Sequence, residues 1–327
     1  MPSSVQALAS GPVVSGFEAD LIDALSHRPR AISPKYFYDQ HGSALFDRIC
    51  ELPEYYPTRT ELGILRARAH EIAARMGPRV DLIEFGAGSL TKIRILLDAL
   101  ASRGTQLRYV PIDISGDYLL EQAQALRQAY PGLEVLPVVA DYTQPFSLPE
   151  PAAGSRRVGF FPGSTLGNFA PAQALAFLKQ AARLLRGGSL LLGVDLVKDP
   201  AILHAAYNDS AGITAQFNLN LLRRANQELG ADFDLDAFTH HAPYQPQAQR
   251  IEMHLISRRR QTVTVAGRRF SFEEGESLHT ENSHKFTLDG IQSLAREAGL
   301  RPGAAWTDAD RLFCAHWLDS PAAMLHR

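Results

Sequence analysis

The sequence predicts an α/β protein in which a mostly parallel sheet, covered by helices on both faces, is joined by a second α+β lobe. Short apolar runs alternate with segments of helical periodicity between residues 60 and 195, which is typical of parallel sheets. The alternation stops after Asp195 and resumes near Leu288. We therefore expect one domain at 60–195 plus 287–327 and a second at 15–59 plus 196–286.

The elements of the expected sheet domain follow in order from their periodicity. A helix begins at Thr60, and beyond it short apolar runs alternate with further helical segments. Gly187 and Gly188 provide a stop signal for the last of these helices. The predicted strands are 80–85, 107–112, 134–139, 158–161 and 189–194. The predicted helices are 91–102, 119–130 and 175–185.

The rest of the chain gives a different pattern. A short helix is expected at 17–26, before a segment dense in aromatic residues at 34–57. Residues 201–229 are mostly helical in pattern. Antiparallel strands are predicted at 250–257, 261–265 and 268–272, and a helix at 288–298 and a strand at 310–318 return to the sheet.

The composition argues against several classes of protein. The 327 residues have a formal net charge of -2 and no long basic block, so we expect no nucleic-acid partner. No apolar run is long enough to cross a bilayer, and the first residues do not resemble a signal peptide. Cys50 and Cys314 are far apart and fit a reducing compartment. We expect a cytoplasmic monomer that contacts no membrane.

A glycine-rich turn follows the first predicted strand, in the segment Glu84-Phe85-Gly86-Ala87-Gly88-Ser89. Glycines at such a place let backbone N–H groups approach a ligand at a helix N-terminus. Thr91 stands where a dinucleotide fingerprint has its third glycine, which disfavours NAD and FAD. The turn suits S-adenosylmethionine (SAM), which has no pyrophosphate, although such glycines also occur in strand-to-helix turns that bind no ligand.

Acidic residues follow the next two predicted strands. Asp113 ends the second strand and can accept hydrogen bonds from ribose hydroxyls. Asp141 follows the third strand and can accept from the adenine amino group, while the neighbouring Tyr142 can stack on the ring. Because ligands bind outside the carboxyl ends of such strands, the three strand ends together predict SAM as the cofactor.

Seven short sequence blocks, spread over about residues 15–318, have the order and approximate spacing of motifs in a known protein family. They are KYFYD (35–39), LPEYYPTRTE (52–61), GSTLGN (163–168), DLVKD (195–199), ADFDL (231–235), RIEM (250–253) and TENS (280–283). Together they resemble the ergothioneine-pathway L-histidine N-α-methyltransferase family. The resemblance implies a Rossmann-like SAM methyltransferase sheet with a substrate-binding lobe. It also implies SAM-dependent trimethylation of the α-amino group of L-histidine to hercynine, the first step of ergothioneine biosynthesis.

The resemblance also implies roles for individual residues. The cofactor contacts it implies are Gly86, Lys92, Asp113, Asp141, Tyr142, Gly163 and Thr165. It assigns the carboxylate and amine of the amino acid to Tyr55, Asn168 and Tyr207, and the imidazole ring to Met253, Glu281 and Ser283. Tyr38 matches a tyrosine near the reacting amine and is the implied catalytic residue.

Two residues beside the implied imidazole pocket depart from the family pattern. His284 stands in place of a cysteine, and Asn282 in place of an aliphatic residue. A related N-methyltransferase acting on another small amino acid or amine, such as an indole-bearing one, is the first alternative, and Glu281 with Ser283 speaks against it.

Three further readings are open on the residues alone. A base methyltransferase would show a Pro-Pro-aromatic motif where this chain has Pro162-Gly163-Ser164-Thr165. A SAM-binding protein without catalysis is another, although candidate residues for both sites are present. A metal site at His240-His241 lacks further ligands at suitable spacing, so we predict no metal requirement.

Overall fold

The computed structural model of the protein describes residues 16–322. The predicted domain boundaries at residues 15 and 327 lie outside that range. The α-helices of the described chain are α1 Gly16–Ser26, α2 Gln40–Glu51, α3 Tyr56–Met76, α4 Leu90–Ser102, α5 Gly116–Ala129, α6 Pro171–Leu184, α7 Pro200–Tyr207, α8 Ile213–Leu229 and α9 Leu288–Glu297. Short 3-10 helices are Pro34–Phe37, Thr165–Asn168 and Leu235–Ala237.

The strands occur in both halves of the chain. The first seven are β1 Arg30–Ala31, β2 Arg79–Phe85, β3 Gln106–Asp113, β4 Glu134–Val135, β5 Val138–Val139, β6 Arg156–Phe161 and β7 Ser189–Asp195. The others are β8 Phe238–His241, β9 Tyr244–Gln245, β10 Arg250–Ser257, β11 Gln261–Val265, β12 Arg268–Phe272, β13 Ser277–His284, β14 Arg301–Thr307 and β15 Phe313–Asp319.

The chain forms two compact units, each made of separate segments. The sheet unit contains Thr60–Leu196 and the described chain from Phe286 onward. The second unit contains the described chain up to Arg59 together with Val197–Lys285. None of the helices in residues 16–322 combines the length and apolar character of a membrane span.

The sheet unit is built on an eight-stranded sheet with strand order β14-β15-β7-β6-β2-β3-β4, and β5 also pairs with β3. Strands β2 to β7 are parallel, whereas β15 runs antiparallel to β7 and β14 antiparallel to β15. The predicted α/β class is therefore confirmed. From β2 the chain continues to β3 on one side, and the later strands β6 and β7 are added on the other side. The strand order therefore reverses at β2, and such sheets bind ligands at the carboxyl ends of the strands at this point.

Two hydrophobic cores cover the two faces of this sheet. One contains Ile72 of α3, Ile93 of α4 and Leu126 of α5. The other contains Leu178 of α6 and Ile291 of α9. Helices therefore lie on both faces, as predicted, and every residue of the central strand β7 is buried.

The second unit has a sheet with strand order β1-β13-β10-β8, to which β9 is added beside β10, and a separate hairpin of β11 and β12. Strand β10 runs antiparallel to β13 and β8. Its side chains alternate strictly between buried and half-buried positions, so one face of the sheet is covered. Helix α8 contacts α2, β8 and β10.

Several predicted elements differ from the structure. The predicted strand 134–139 is two short strands because Pro137 lies between them and lacks an N–H group. The predicted helix 201–229 is broken at Gly212, which has φ +69°. The last strand begins at Phe313 instead of residue 310, since Asp308 accepts the Leu312 and Phe313 N–H groups in a loop. Elements α2, β8, β9, β13 and β14 were not predicted as such.

Candidate active site

The turn after β2 depends on glycine. Gly86 has φ +74°, a conformation that favours glycine. A Cβ atom at Gly86 would lie 3.4 Å from Cε1 of Tyr142, so the ring packs against the bare backbone. The Gly86 and Ala87 N–H groups both donate to the Ile112 carbonyl, at 2.9 and 3.0 Å. These two donors are therefore used within the turn, and a contact between Gly86 and the cofactor stays a prediction.

The predicted acidic residues lie at neighbouring strand ends, close to Tyr142. Asp113 Oδ1 accepts the Ser115 N–H at 2.8 Å, and Asp141 Oδ1 accepts the N–H and hydroxyl of Thr143. Burial raises the pKa of Tyr142, and the charges of Asp113 and Asp141 raise it further. Burial also raises the pKa of the Asp113 carboxyl. The three groups form one polar cluster at the ends of β3 and β5.

Lys92 and Gly163, both predicted cofactor contacts, bind the same buried carboxylate. Glu61 is 1% exposed and accepts from Lys92 Nζ at 2.5 Å. It also accepts the Gly163 N–H at 3.0 and 3.1 Å. Glu61 lies in one of the recognised blocks but was not predicted as a site residue. The signal in the sequence was its position beside the apolar residues of α3. A carboxylate that is buried there needs a partner, because unpaired carboxylates are seldom buried.

Glu84 is a second buried acid near the turn that was not predicted as a site residue. It lies two residues before Gly86 near the end of β2 and is 2% exposed. It accepts a hydrogen bond from the Tyr109 hydroxyl. Burial raises the pKa of Glu84 to about 8, while the Tyr109 hydroxyl and Lys92 act in the opposite direction. Glu84 is therefore largely protonated at neutral pH.

The turn after β6 contains the remaining residues predicted for the sheet unit. Gly163 has φ +78° and Ser164 φ +57°, so a non-glycine residue occupies the left-handed region. Ser164 Oγ accepts the Asp195 N–H at 2.9 Å, and the Thr165 hydroxyl donates to the Pro162 carbonyl. Asn168 is half-buried at the end of the following 3-10 helix, within this unit.

In the second unit, Tyr38 and Tyr55 belong to a cluster of aromatic rings. Phe46 lies between them, with ring centroids 5.7 Å from Tyr38 and 6.2 Å from Tyr55. The rings of Tyr55 and Tyr207 are 6.4 Å apart. Burial, followed by the charges of Tyr207 and other neighbours including Glu281, raises the pKa of Tyr55 well above its usual value. The Tyr55 hydroxyl therefore stays a protonated donor at neutral pH.

Glu281 and Ser283 lie two residues apart on β13, so they share one face of the strand. Glu281 is 9% exposed and Ser283 4%. Met253 of β10 lies opposite Glu281 in the register and is also buried. Burial raises the pKa of Glu281 to about 7, partly offset by the charge of Lys285. The three predicted ring-pocket residues are thus brought together on the covered face of the sheet.

A buried hydrogen-bonded triangle joins the ring pocket to Tyr207. The Tyr207 hydroxyl lies 2.6 Å from Ser283 Oγ. Lys285 Nζ lies 2.7 Å from Ser283 Oγ and 3.2 Å from the Tyr207 hydroxyl. Lys285, which is 3% exposed, was not predicted as a site residue. It continues the two-residue spacing of Glu281 and Ser283, and that spacing was the signal in the sequence.

The His240-His241 pair does not converge on one point. The two residues alternate along β8, where His240 is half-buried and His241 exposed. His240 binds the Asn218 side chain and the Tyr207 carbonyl, each at 2.9 Å. Between residues 16 and 322, no three His, Cys, Asp or Glu side chains are grouped so that they could hold a metal ion.

A family model for histidine-specific, SAM-dependent methyltransferases matches residues 17–320 of the chain. The chain belongs to this family. The histidine N-alpha-methyltransferase of Mycobacterium tuberculosis is 45% identical over 293 residues, which is 88% of this chain and 90% of that protein. The enzyme of the same description from Mycolicibacterium smegmatis is 44% identical, over 92% of this chain and 94% of its own length.

A more distant relative extends the family to fungi. Ergothioneine biosynthesis protein 1 of Neurospora crassa is 30% identical over 85% of this chain, which corresponds to only 32% of that fungal protein. The chain of this histidine-specific methyltransferase thus spans about a third of the fungal relative. The family uses SAM, and the resemblance inferred from the seven sequence blocks is confirmed.

Proposed function

We propose that the protein transfers methyl groups from SAM to the α-amino nitrogen of L-histidine, three in succession, and forms hercynine. The observation that carries this proposal is the buried Glu281 with Ser283 beside it, in a chain of the histidine-specific family. A buried carboxylate can bind a ring N–H, and a ligand that lacks the N–H leaves the carboxylate unpaired.

We assign the donor to the sheet unit. Gly86, Lys92, Asp113, Asp141, Tyr142, Gly163 and Thr165 are the residues proposed to hold it. The polar cluster of two carboxylates and one aromatic ring fits a ribose and an adenine. The bound donor supplies an activated methyl group on a sulfonium. The carboxylates of Asp113 and Asp141 would hold its nucleoside part by accepting hydrogen bonds.

We assign the amino acid to Tyr38, Tyr55, Tyr207, Met253, Glu281 and Ser283. Asn168 is the further residue that the family resemblance assigns to it. Tyr55 can donate to a carboxylate, because burial keeps its hydroxyl protonated. The Tyr207 hydroxyl donates to Ser283 Oγ and so supports the ring pocket. Asn168 can accept from the amine or donate to the carboxylate.

The reacting amine must be neutral to attack. A model α-amino group has a pKa of about 8, and a neighbouring cation disfavours its charged form. We therefore propose no strong dedicated base, with Tyr38 orienting the amine or passing its proton to water. Tyr38 and Phe46, whose rings are 5.7 Å apart, offer aromatic faces for the quaternary product.

The composition also supports a compartment, an oligomeric state and a substrate class. The net charge of -2 and two distant cysteines support a cytoplasmic monomer that acts on a small molecule and does not act on nucleic acid or at a membrane. An indole-bearing amino acid is disfavoured as substrate because its ring has one N–H and no second polar nitrogen for Ser283.

Mass spectrometry of L-histidine incubated with SAM and the protein tests the function. We expect products heavier by one, two and three methyl groups. L-Tryptophan and L-phenylalanine are the matched amino acids without an imidazole ring. Faster methylation of tryptophan, or the absence of methylated histidine, would overturn the proposal.

A further inference from the structure

The hydroxyl of Ser283 has its acceptor capacity fully used within the protein. Tyr207 Oη lies 2.6 Å away and donates to it, and Lys285 Nζ lies 2.7 Å away. An ammonium group has three donors and no acceptor, whereas a serine hydroxyl accepts two hydrogen bonds and donates one. The proton of Ser283 is therefore the capacity that remains, so Ser283 faces a ligand as a donor.

Glu281 faces the same ligand with the opposite polarity. Its side chain is buried, and within residues 16–322 no hydrogen-bond donor contacts its carboxylate oxygens, although its backbone carbonyl accepts from His279. An ionised carboxylate accepts only. The pocket thus offers one acceptor and one donor, which matches a ring with one N–H and one unprotonated nitrogen.

We propose that Lys285 is a positioning residue that determines specificity: by occupying Ser283 it makes the pocket bind the neutral imidazole ring and reject the imidazolium form. The inference rests on the proposed function, because it takes histidine as the ligand. Lys285 acts through Ser283 and is not itself a contact of the ring.

Charge acts in the same direction as hydrogen bonding. Lys285 directly follows β13, and its neighbours include Glu281 of that strand and the Tyr207 hydroxyl of α7. Its charge also reaches His284. When Glu281 is ionised, its charge and that of Lys285 cancel within the pocket. An imidazolium would add a second cation beside a buried ammonium, and it would direct an N–H at a hydroxyl that has no acceptor left.

The unmodified protein provides the first test. Calorimetry with S-adenosylhomocysteine present gives the Kd of L-histidine and of β-(1,2,4-triazol-3-yl)alanine, whose ring stays neutral, between about pH 5.5 and 8.5. Titration of Glu281 and of other protein groups affects the binding of both ligands. The Kd of histidine divided by the Kd of the triazole therefore isolates the effect of protonating the imidazole ring. We expect the ratio to rise about tenfold for each pH unit below the imidazole pKa of about 6.5. A constant ratio would overturn the inference.

Variants at Lys285 provide the second test. Lys285→Met frees one acceptor site of Ser283 and removes the charge. We expect histidine to bind on the order of tenfold or more weakly near pH 8, and the Kd ratio to lose its pH dependence. Lys285→Arg keeps a charged donor and should restore the dependence. Lys179→Met, at an exposed lysine of α6, is the matched control and should match the unmodified protein.

The outcomes separate this inference from the proposed function. If the unmodified protein makes no methylated histidine, the function fails. If it does, but Lys285→Met keeps the pH dependence of the Kd ratio, only the role of Lys285 fails. Circular dichroism establishes folding, and if Lys285→Met is unfolded, the ligand pair with the unmodified protein and Lys285→Arg still decide the question.

Discussion

Three of the buried carboxylates, Glu61, Glu84 and Glu281, differ in their hydrogen-bond partners. Glu61 is paired with Lys92 and a backbone N–H, and Glu84 is bonded to the Tyr109 hydroxyl. Glu281 is buried without such a donor among the described residues, and burial raises its pKa to about 7. Buried polar groups without partners are costly and cluster at functional sites. Glu281 is therefore the one best suited to bind a ligand.

The first prediction concerns Glu84. Its folded pKa of about 8 lies above the ordinary value of 4.5, so the folded state prefers the protonated form. The stabilising contribution is complete below the unfolded pKa and is lost as pH rises through about 8. Relative to Glu84→Gln, the unmodified protein should lose on the order of 2–4 kcal/mol of unfolding free energy between about pH 4.5 and 9.

Urea denaturation across this range measures the difference. Glu297→Gln, at an exposed glutamate of α9, is the control and should follow the unmodified protein at every pH. Parallel stability curves for Glu84→Gln and the unmodified protein would contradict the assignment of Glu84 as a buried, protonated acid.

At the scale of elements, β7 and α3 meet where a glycine leaves room for a carboxylate. A Cβ at Gly193 of β7 would lie 2.1 Å from Glu61 Oε1. Gly193→Ala should therefore displace Glu61 from Lys92 and Gly163 and destabilise the protein by about 1–3 kcal/mol. Cofactor affinity should fall as well, because Lys92 and Gly163 lose their common partner.

The same substitution at Gly63 of α3 is the control. No atom lies within 4 Å of a Cβ built there, and alanine favours a helix over glycine by about 1 kcal/mol. Thermal unfolding should show a lower midpoint for Gly193→Ala and a higher one for Gly63→Ala. A Gly193→Ala protein as stable as the parent would show that Glu61 can move without loss.

Sequence patterns predicted elements well where the buried residues are apolar. Strand β7 is largely apolar and was predicted within a residue, whereas β13 was missed because its buried positions include Thr280, Glu281 and Ser283. Strand β14 consists largely of small residues, and most of its positions are exposed or half-buried, so it has no apolar pattern. Periodicity detects burial through hydrophobicity, so a strand that lines a polar site gives a weak signal.

The same limit applies to the candidate site. Motifs at strand ends, such as Asp113 and Asp141, can be placed from topology alone. The roles of Glu281 and Ser283 came from family resemblance and stay predictions. Lys285 and Glu61 act through contacts to residues 78 and 102 positions away, and a single sequence carries no information on such pairs.

A third prediction follows from β8. Its alternation separates His240 from His241, and His240 is already bonded to Asn218 and a backbone carbonyl. Methyl transfer should therefore proceed at an unchanged rate in excess EDTA. Loss of activity that added zinc restores would contradict this, and a zinc-dependent enzyme assayed in the same buffer verifies that the chelator is effective.

At the scale of the whole molecule, the second unit contains a long insertion between two strands of the sheet. The insertion leaves after β7 and returns at Phe286, whose N–H donates to the Asp195 carbonyl. Leu196 and Phe286 form an isolated parallel bridge. Because the insertion begins and ends at adjacent points, the sheet can receive β15 beside β7 without rearrangement.

This division of the chain leads to the last prediction, that donor and amino acid are bound by different residues. Asp113→Ala should weaken binding of S-adenosylhomocysteine on the order of tenfold or more, with little effect on histidine. Glu281→Ala should do the reverse, since losing a charged hydrogen bond costs about 1.5–3 kcal/mol. Calorimetry of each variant with each ligand measures the four changes. Asp117→Ala and Glu297→Ala, both at exposed positions, are the controls. If each site variant weakened both ligands equally, the two residues would not belong to separate binding sites.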